Sequence, residues 1–189
     1  MKVEDGVLYD VLPEDIDDSG EFQWPEGVTE IGYEAFKELK NLRKITFPDS
    51  IARIGKGSFS QCYALERIKI PGHVKTIGEY AFAWSGLKAI EISEGVKEIG
   101  DSAFIYCEIE SIEFPPQIQI ERRAFSCCQK LRYIKLRENT KVSIDVFLGC
   151  SDLKEVWIDN SVNFLNLNPF TGCDSLKYVH YGEKCVDLT

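Results

Sequence analysis

Histidine is scarce in this chain: 189 residues carry two, His73 and His180. Little imidazole is therefore available for proton transfer or metal ligation. Cys185 follows His180 closely, but a Cys/His nucleophile also needs a group that orients the ring, and none is in view. Basic residues are also short, with 22 Lys and Arg against 31 Asp and Glu and a net charge of −9. Such a balance argues against nucleic acid or an anionic membrane surface as the main partner. No apolar run approaches the roughly 18 residues of a membrane helix, so no membrane insertion is expected. The start, MKVEDGVLYD, lacks the apolar core of a signal peptide. The glycines are not clustered before a helix as a phosphate loop requires. Convergent CxxC pairs are missing, and Glu14, Asp15, Asp17 and Asp18 lack the spacing and central glycine of a calcium loop. No catalytic residue, metal site or cofactor is expected.

What the chain does have is apolar material, 44% of its residues, arranged with a period. One position reads Leu42, Leu65, Leu87, Ile109, Leu131, Leu153 and Leu176, in steps of 22 or 23 residues. Three residues on sits Ile45, Ile68, Ile90, Ile112, Ile134, Val156 or Val179. Two further comes Phe47, Ile70, Ile92, Phe114, Leu136, Ile158 or Tyr181. A spacing of two puts both side chains on one face of a short strand. Pro48, Pro71 and Pro115 end three of these strands and Pro25 ends the stretch before them, since proline cannot donate to a ladder.

The second half of each unit repeats as strictly. Phe36, Phe59, Phe82, Phe104, Phe125, Phe147 and Phe170 form one column. Five residues earlier stand Ile31, Ile54, Ile77, Ile99, Ile120, Val142 and Leu165. Gly32, Gly55, Gly78 and Gly100 follow the first four, where a tight turn is expected; Glu121, Ser143 and Asn166 replace glycine later, so those turns should differ. The GEYAF-like stretches are too short for independent helices and read as single helical or 3-10 turns. One strand and one turn per 22 residues means a solenoid, because a unit with one apolar side buries it only against its neighbours.

The run LxxIxIPxxVxxIGxxAFxxC, nearly unbroken over 42–62 and 65–85, resembles the BspA-like class of leucine-rich repeats. That resemblance implies an α/β solenoid: a right-handed arc of about seven or eight coils, with a parallel concave sheet and short turns on the convex side. It also implies an interaction protein, in a family with many exported, surface-attached members. The expected organisation is a capping segment over 1–21, a solenoid over 22–182 and a tail over 183–189. With GEKCVDLT alone left after Tyr181, the last strand should keep an open edge, available for self-association.

Seven cysteines complete the inventory. Cys62, Cys107, Cys128, Cys150 and Cys173 share one slot, three residues after the phenylalanine, with Leu39 and Ser85. A slot shared by Cys, Leu and Ser is a small buried site holding free thiols. Disulfides between adjacent coils are opposed by a convex side that fans out beyond bridging distance. Unpaired thiols and the absent signal peptide point to a reducing, cytoplasmic setting; a cell-surface or secreted location follows if a targeting segment lies outside these residues.

Residues between the inward strand positions face out. One outward column is Gln23, Thr46, Lys69, Glu91, Glu113, Lys135, Trp157 and His180; beside it run Lys44, Arg67, Ala89, Ser111, Tyr133, Glu155 and Tyr178. These suggest a basic zone at Lys44, Arg67 and Lys69, an acidic one at Glu91, Glu110 and Glu113, and an aromatic one at Tyr133, Trp157, Tyr178 and His180. Solvent-facing Trp and Tyr are favoured interface anchors. The expected function is a non-catalytic module that binds a protein partner on this face, with Tyr133, Trp157 and Tyr178 as anchors and Arg67 and Lys69 as a charged subsite; the competing reading of these rings is packing alone, with Trp157 flat on Tyr133 and Tyr178. A glycan-binding surface and a self-associating structural protein are the alternatives.

Overall fold

The computed structural model describes residues 1–165 and 168–188. An antiparallel hairpin of β1 (Lys2–Glu4) and β2 (Val7–Tyr9) opens the chain. Each coil then contributes a two-residue strand, and most contribute a longer one. In chain order these are β3 (Glu30–Ile31), β4 (Arg53–Ile54), β5 (Arg67–Ile70), β6 (Thr76–Ile77), β7 (Ala89–Ile92), β8 (Glu98–Ile99) and β9 (Ser111–Glu113). There follow β10 (Gln119–Ile120), β11 (Tyr133–Leu136), β12 (Lys141–Val142), β13 (Glu155–Ile158), β14 (Asn163–Phe164), β15 (Tyr178–Tyr181) and β16 (Lys184–Asp187). The result is a parallel β-solenoid of about eight coils.

The short strands pair in parallel from β2 to β14, stacking Ile31, Ile54, Ile77, Ile99, Ile120, Val142 and Phe164. At the last coil the sequence pattern points to Leu165, yet Phe164 is the residue in register with Val142, and Leu165 is exposed. That coil has one more residue before its phenylalanine than the others, which moves the inward position back by one. The long strands form a second parallel ladder, β9–β11–β13–β15, and a separate β5–β7 pair.

A third ladder runs down the turn side. The Phe36 N–H donates to Ser58 O, Phe59 to Ala81, Phe82 to Ala103, Phe104 to Ala124 and Phe125 to Val146, at 2.7–2.9 Å. The turns carry single i+3→i bonds, such as Ser60 N–H to Gly57 O, as the expected single turns should. They do not grow into helix, and the α component of the expected class is absent: among the described residues the one helical element is a 3-10 turn at Pro13–Asp15. The cause is local backbone geometry. The residues two before and two after each phenylalanine from Phe36 to Phe147, Tyr80 and Trp84 for example, are left-handed, with φ of 54° and 56° in that pair. A left-handed residue cannot propagate a right-handed helix.

Inside, the phenylalanine column stacks almost face to face. Phe59, Phe82, Phe104 and Phe125 follow one another at 5.0 Å between ring centres, and all four are fully buried. The glycine column serves this stacking rather than a special φ. A Cβ on Gly78 would lie 2.7 Å from Gly55 C and Lys56 N, so close approach of successive coils is what needs glycine. Glu121 and Ser143 keep the same backbone bond, to Ile99 O and Ile120 O, so the turns at those substitutions do not differ in this respect. Asn166 lies outside the described residues.

All seven cysteines are free, five of them buried. Fanning of the convex side is not what keeps them apart, since the turn ladder holds the coils at backbone hydrogen-bond distance. Each buried thiol is instead directed at a carbonyl of the preceding coil: Cys62 to Phe36 O, Cys107 to Phe82 O, Cys128 to Phe104 O, Cys150 to Phe125 O and Cys173 to Phe147 O, at 2.9–3.2 Å. Burial pushes the thiols of Cys62 and Cys107 up to about 12.

The C-terminal end differs from expectation. The tail folds back as β16, antiparallel to β15 with Tyr178 opposite Asp187 and His180 opposite Cys185. The β15 edge is therefore covered, and the sheet ends at β16. Gly182, with φ of 57°, makes the two-residue reversal to β16 possible, so eight residues suffice for a cap.

Candidate functional site on the long-strand face

The outward columns fall as the period-2 alternation of strands requires. Across coils, Tyr133, Glu155 and Tyr178 are neighbours in one register, and Lys135, Trp157 and His180 in the next. Trp157 does not lie on the tyrosines. Glu155 separates Tyr133 from Tyr178, and the indole stacks on the His180 imidazole, ring centres 3.8 Å apart and planes 4° from parallel. Glu155 ties the two rings together: its Oε1 accepts from Trp157 Nε1 at 2.8 Å and meets His180 Nε2 at 3.0 Å. The unit is thus pre-ordered on one side while Trp157 stays 36% and Tyr178 40% exposed. Tyr133 is half-buried, and burial, then the charges of Glu113 and Glu155, raise its phenol pKa.

Cys185 Sγ lies 3.9 Å from His180 Nε2. That is the nitrogen already facing Glu155, whereas a nucleophile–base–orienter chain needs the carboxylate on the other nitrogen. The three groups do not form a triad.

The charged zones resolve into ion pairs rather than separate fields. Lys69 and Glu91 are register neighbours and pair at 2.6 Å; Lys44 meets Glu21 at 3.0 Å and Lys135 meets Glu113 at 3.9 Å. Of the expected basic residues, Arg67 has no carboxylate within ion-pair distance among the described residues. Two of the four carboxylates at the N-terminal turn are likewise committed within the chain. Asp15 accepts from the N-terminal ammonium and Leu12 N–H, and Asp17 from Ser19 and Glu21.

Two features escape the column reading. Glu155 looks like one more solvated charge, although its place two residues before Trp157 on the same face was the signal. On the turn side, Trp84 stacks on Tyr106 at 5.7 Å and lies parallel to Tyr80 at 6.2 Å, with Trp84 and Tyr106 exposed. Their positions flank the phenylalanine column and carry no apolar period of their own.

A parallel solenoid with a buried phenylalanine stack and a variable strand face defines a leucine-rich-repeat architecture. The BspA type leucine-rich repeat region matches residues 17–132 and 117–189, in six copies, and the chain belongs to that family. Among solved structures it is similar to a leucine-rich repeat protein from Bacteroides ovatus, at 30% identity and a TM-score of 0.51. That match covers 86% of this chain and 55% of the other, so the chain spans little more than half of its relative's length. It is also similar to the leucine-rich repeat protein of T. pallidum, at 24% identity, TM-score 0.70, covering 82% and 76% of the two chains. No curated protein matches the sequence. Among the described residues, no helix is long and apolar enough to cross a membrane.

Proposed function

We propose that this chain is a non-catalytic interaction module that takes a protein partner on its long-strand face, anchored at the C-terminal coils. The supporting observation is the Trp157–His180 stack locked by Glu155, with Tyr178 beside it. Ordering an anchor before binding reduces the entropy lost on association, and half-exposed Trp and Tyr supply large contact area. The edge at which this sheet ends is that of the exposed strand β16 rather than β15.

The test compares capture from the native lysate by the wild-type chain and by a Trp157→Ala/Tyr178→Ala variant. Proteins enriched on the wild type should fall to background on the variant, since loss of two anchors worth about 2 kcal/mol each weakens binding on the order of a thousandfold. Equal enrichment on both would remove the aromatic anchor from the account.

A further inference from the structure

At almost every coil junction of the long-strand side, one backbone bond recurs. The Arg43 N–H donates to Gly20 O, Lys88 to Glu66, Glu110 to Lys88, Arg132 to Glu110, Lys154 to Arg132 and Lys177 to Lys154. The equivalent bond from Glu66 to Arg43 is missing. Among the described residues nothing accepts from the Glu66 N–H, and β5 pairs with β7 alone, leaving its other edge unpaired. The strand face is therefore open between the second and third coils.

The side chains around this opening are unusual for so acidic a chain. Arg43, Lys44, Ala64, Glu66 and Arg67 line a depression there, and Arg67 also borders a second one beside Ile68 and Lys69. Lys44, Lys69 and Glu66 are each satisfied internally, by Glu21, Glu91 and Lys88. Arg43 and Arg67 are exposed and, among the described residues, have no carboxylate within ion-pair distance. Two guanidiniums without an ion-pair partner and an unpaired backbone donor share this opening with one carboxylate, Glu66, which Lys88 holds at 2.6 Å. A guanidinium holds a carboxylate through two parallel N–H bonds, and a backbone N–H adds a directional third contact.

From this we propose that the opening between coils two and three binds an acidic, extended peptide segment of a partner protein. Its carboxylates lie on Arg43 and Arg67, and a carbonyl or carboxylate oxygen accepts from the Glu66 N–H. The assignment rests on the reading of the long-strand face as the partner-binding face, and gives that face a second, chemically distinct contact remote from Trp157.

The probe is a fluorescein-labelled deca-glutamate peptide, titrated by fluorescence anisotropy at low salt, with deca-lysine and a neutral Gly/Ser peptide as controls. Wild type should bind deca-glutamate and neither control. Arg43→Gln/Arg67→Gln should weaken binding at least tenfold, and 1 M salt should abolish it, since exposed charges are screened within a few ångströms there. The Trp157→Ala/Tyr178→Ala variant should keep its peptide affinity within twofold, so failure of the aromatic anchor and failure of this site are read separately. Absence of deca-glutamate binding, or equal binding by the Arg variant, overturns the proposal. So does a concentration-dependent dimer that the Arg variant abolishes, because the occupant would then be a second copy of the chain.

Discussion

Raising the pH from 8 to 11 should unfold this protein cooperatively, although its backbone ladders are indifferent to pH in that range. The cause is the cysteine slot. A thiol titrates near 9 in the unfolded chain, whereas burial holds Cys62 and Cys107 at about 12 and Cys173 at about 11, with Cys128 raised well above its ordinary value. Above pH 9 the unfolded state has released protons that the folded state retains. The stability these thiols contribute is thus fully present below pH 9 and is lost as pH rises toward their folded values. Each costs about 1.4 kcal/mol per pH unit in that window, so Cys62 and Cys107 together remove about 5 kcal/mol by pH 11. Domains have about 5–15 kcal/mol in total. Circular dichroism against pH should show the transition, and Cys62→Ser/Cys107→Ser should move its midpoint upward. Serine is already accommodated in this slot, where Ser85 is buried and lies 3.4 Å from Cys107 Sγ. A chain that keeps its native spectrum through pH 11.5 would show that the thiols are not sealed from solvent.

Replacing Phe104 by alanine should lower the unfolding free energy by about 3–5 kcal/mol, the range for deleting a buried phenyl ring. Phe104 is completely buried and stacked at 5.0 Å on both Phe82 and Phe125, so its loss opens a cavity and interrupts the stack at once. In a solenoid each unit is stabilised by its neighbours, so damage in the middle weakens two interfaces. Phe170 is a built-in control. It is only partly buried, with Phe147 as its single neighbour along the column, at 5.6 Å, and Phe170→Ala should cost markedly less. Urea unfolding of both variants measures the difference. A Phe104 loss below about 1 kcal/mol, or equal losses at the two sites, would contradict a continuous stack as the source of stability.

The columns Phe36 to Phe170 and Ile31 to Val142 are legible in the sequence because burial restricts the residue type at every coil. What the sequence hides is whatever the backbone decides alone. The turn ladder uses N–H and C=O groups that every residue carries, and its left-handed positions accept Tyr80, Trp84 and Cys127 as readily as Gly57. The reversal at Gly182 needs a few residues and leaves no period, so the returning strand β16 is invisible to repeat counting. The strand face is half legible: alternation identifies Trp157, Tyr178 and Arg67 as outward. Only cross-strand register shows that His180 rather than Tyr133 covers the indole, that Glu91 neutralises Lys69, and that Arg67 is left free. These outcomes depend on which side chains become neighbours across coils, at sequence separations of 22 or 23.

The central claim, that the long-strand face meets the partner, is tested most directly by photocrosslinking from the two exposed aromatic surfaces. A benzophenone side chain is placed at Tyr178 on the strand face or at Trp84 on the turn face, and each protein is irradiated in native lysate. The account predicts covalent partner adducts from position 178, suppressed by excess wild-type chain and not by excess Trp157→Ala/Tyr178→Ala variant. Adducts arising only from position 84, or adducts at 178 that the variant suppresses as well as wild type does, would contradict it.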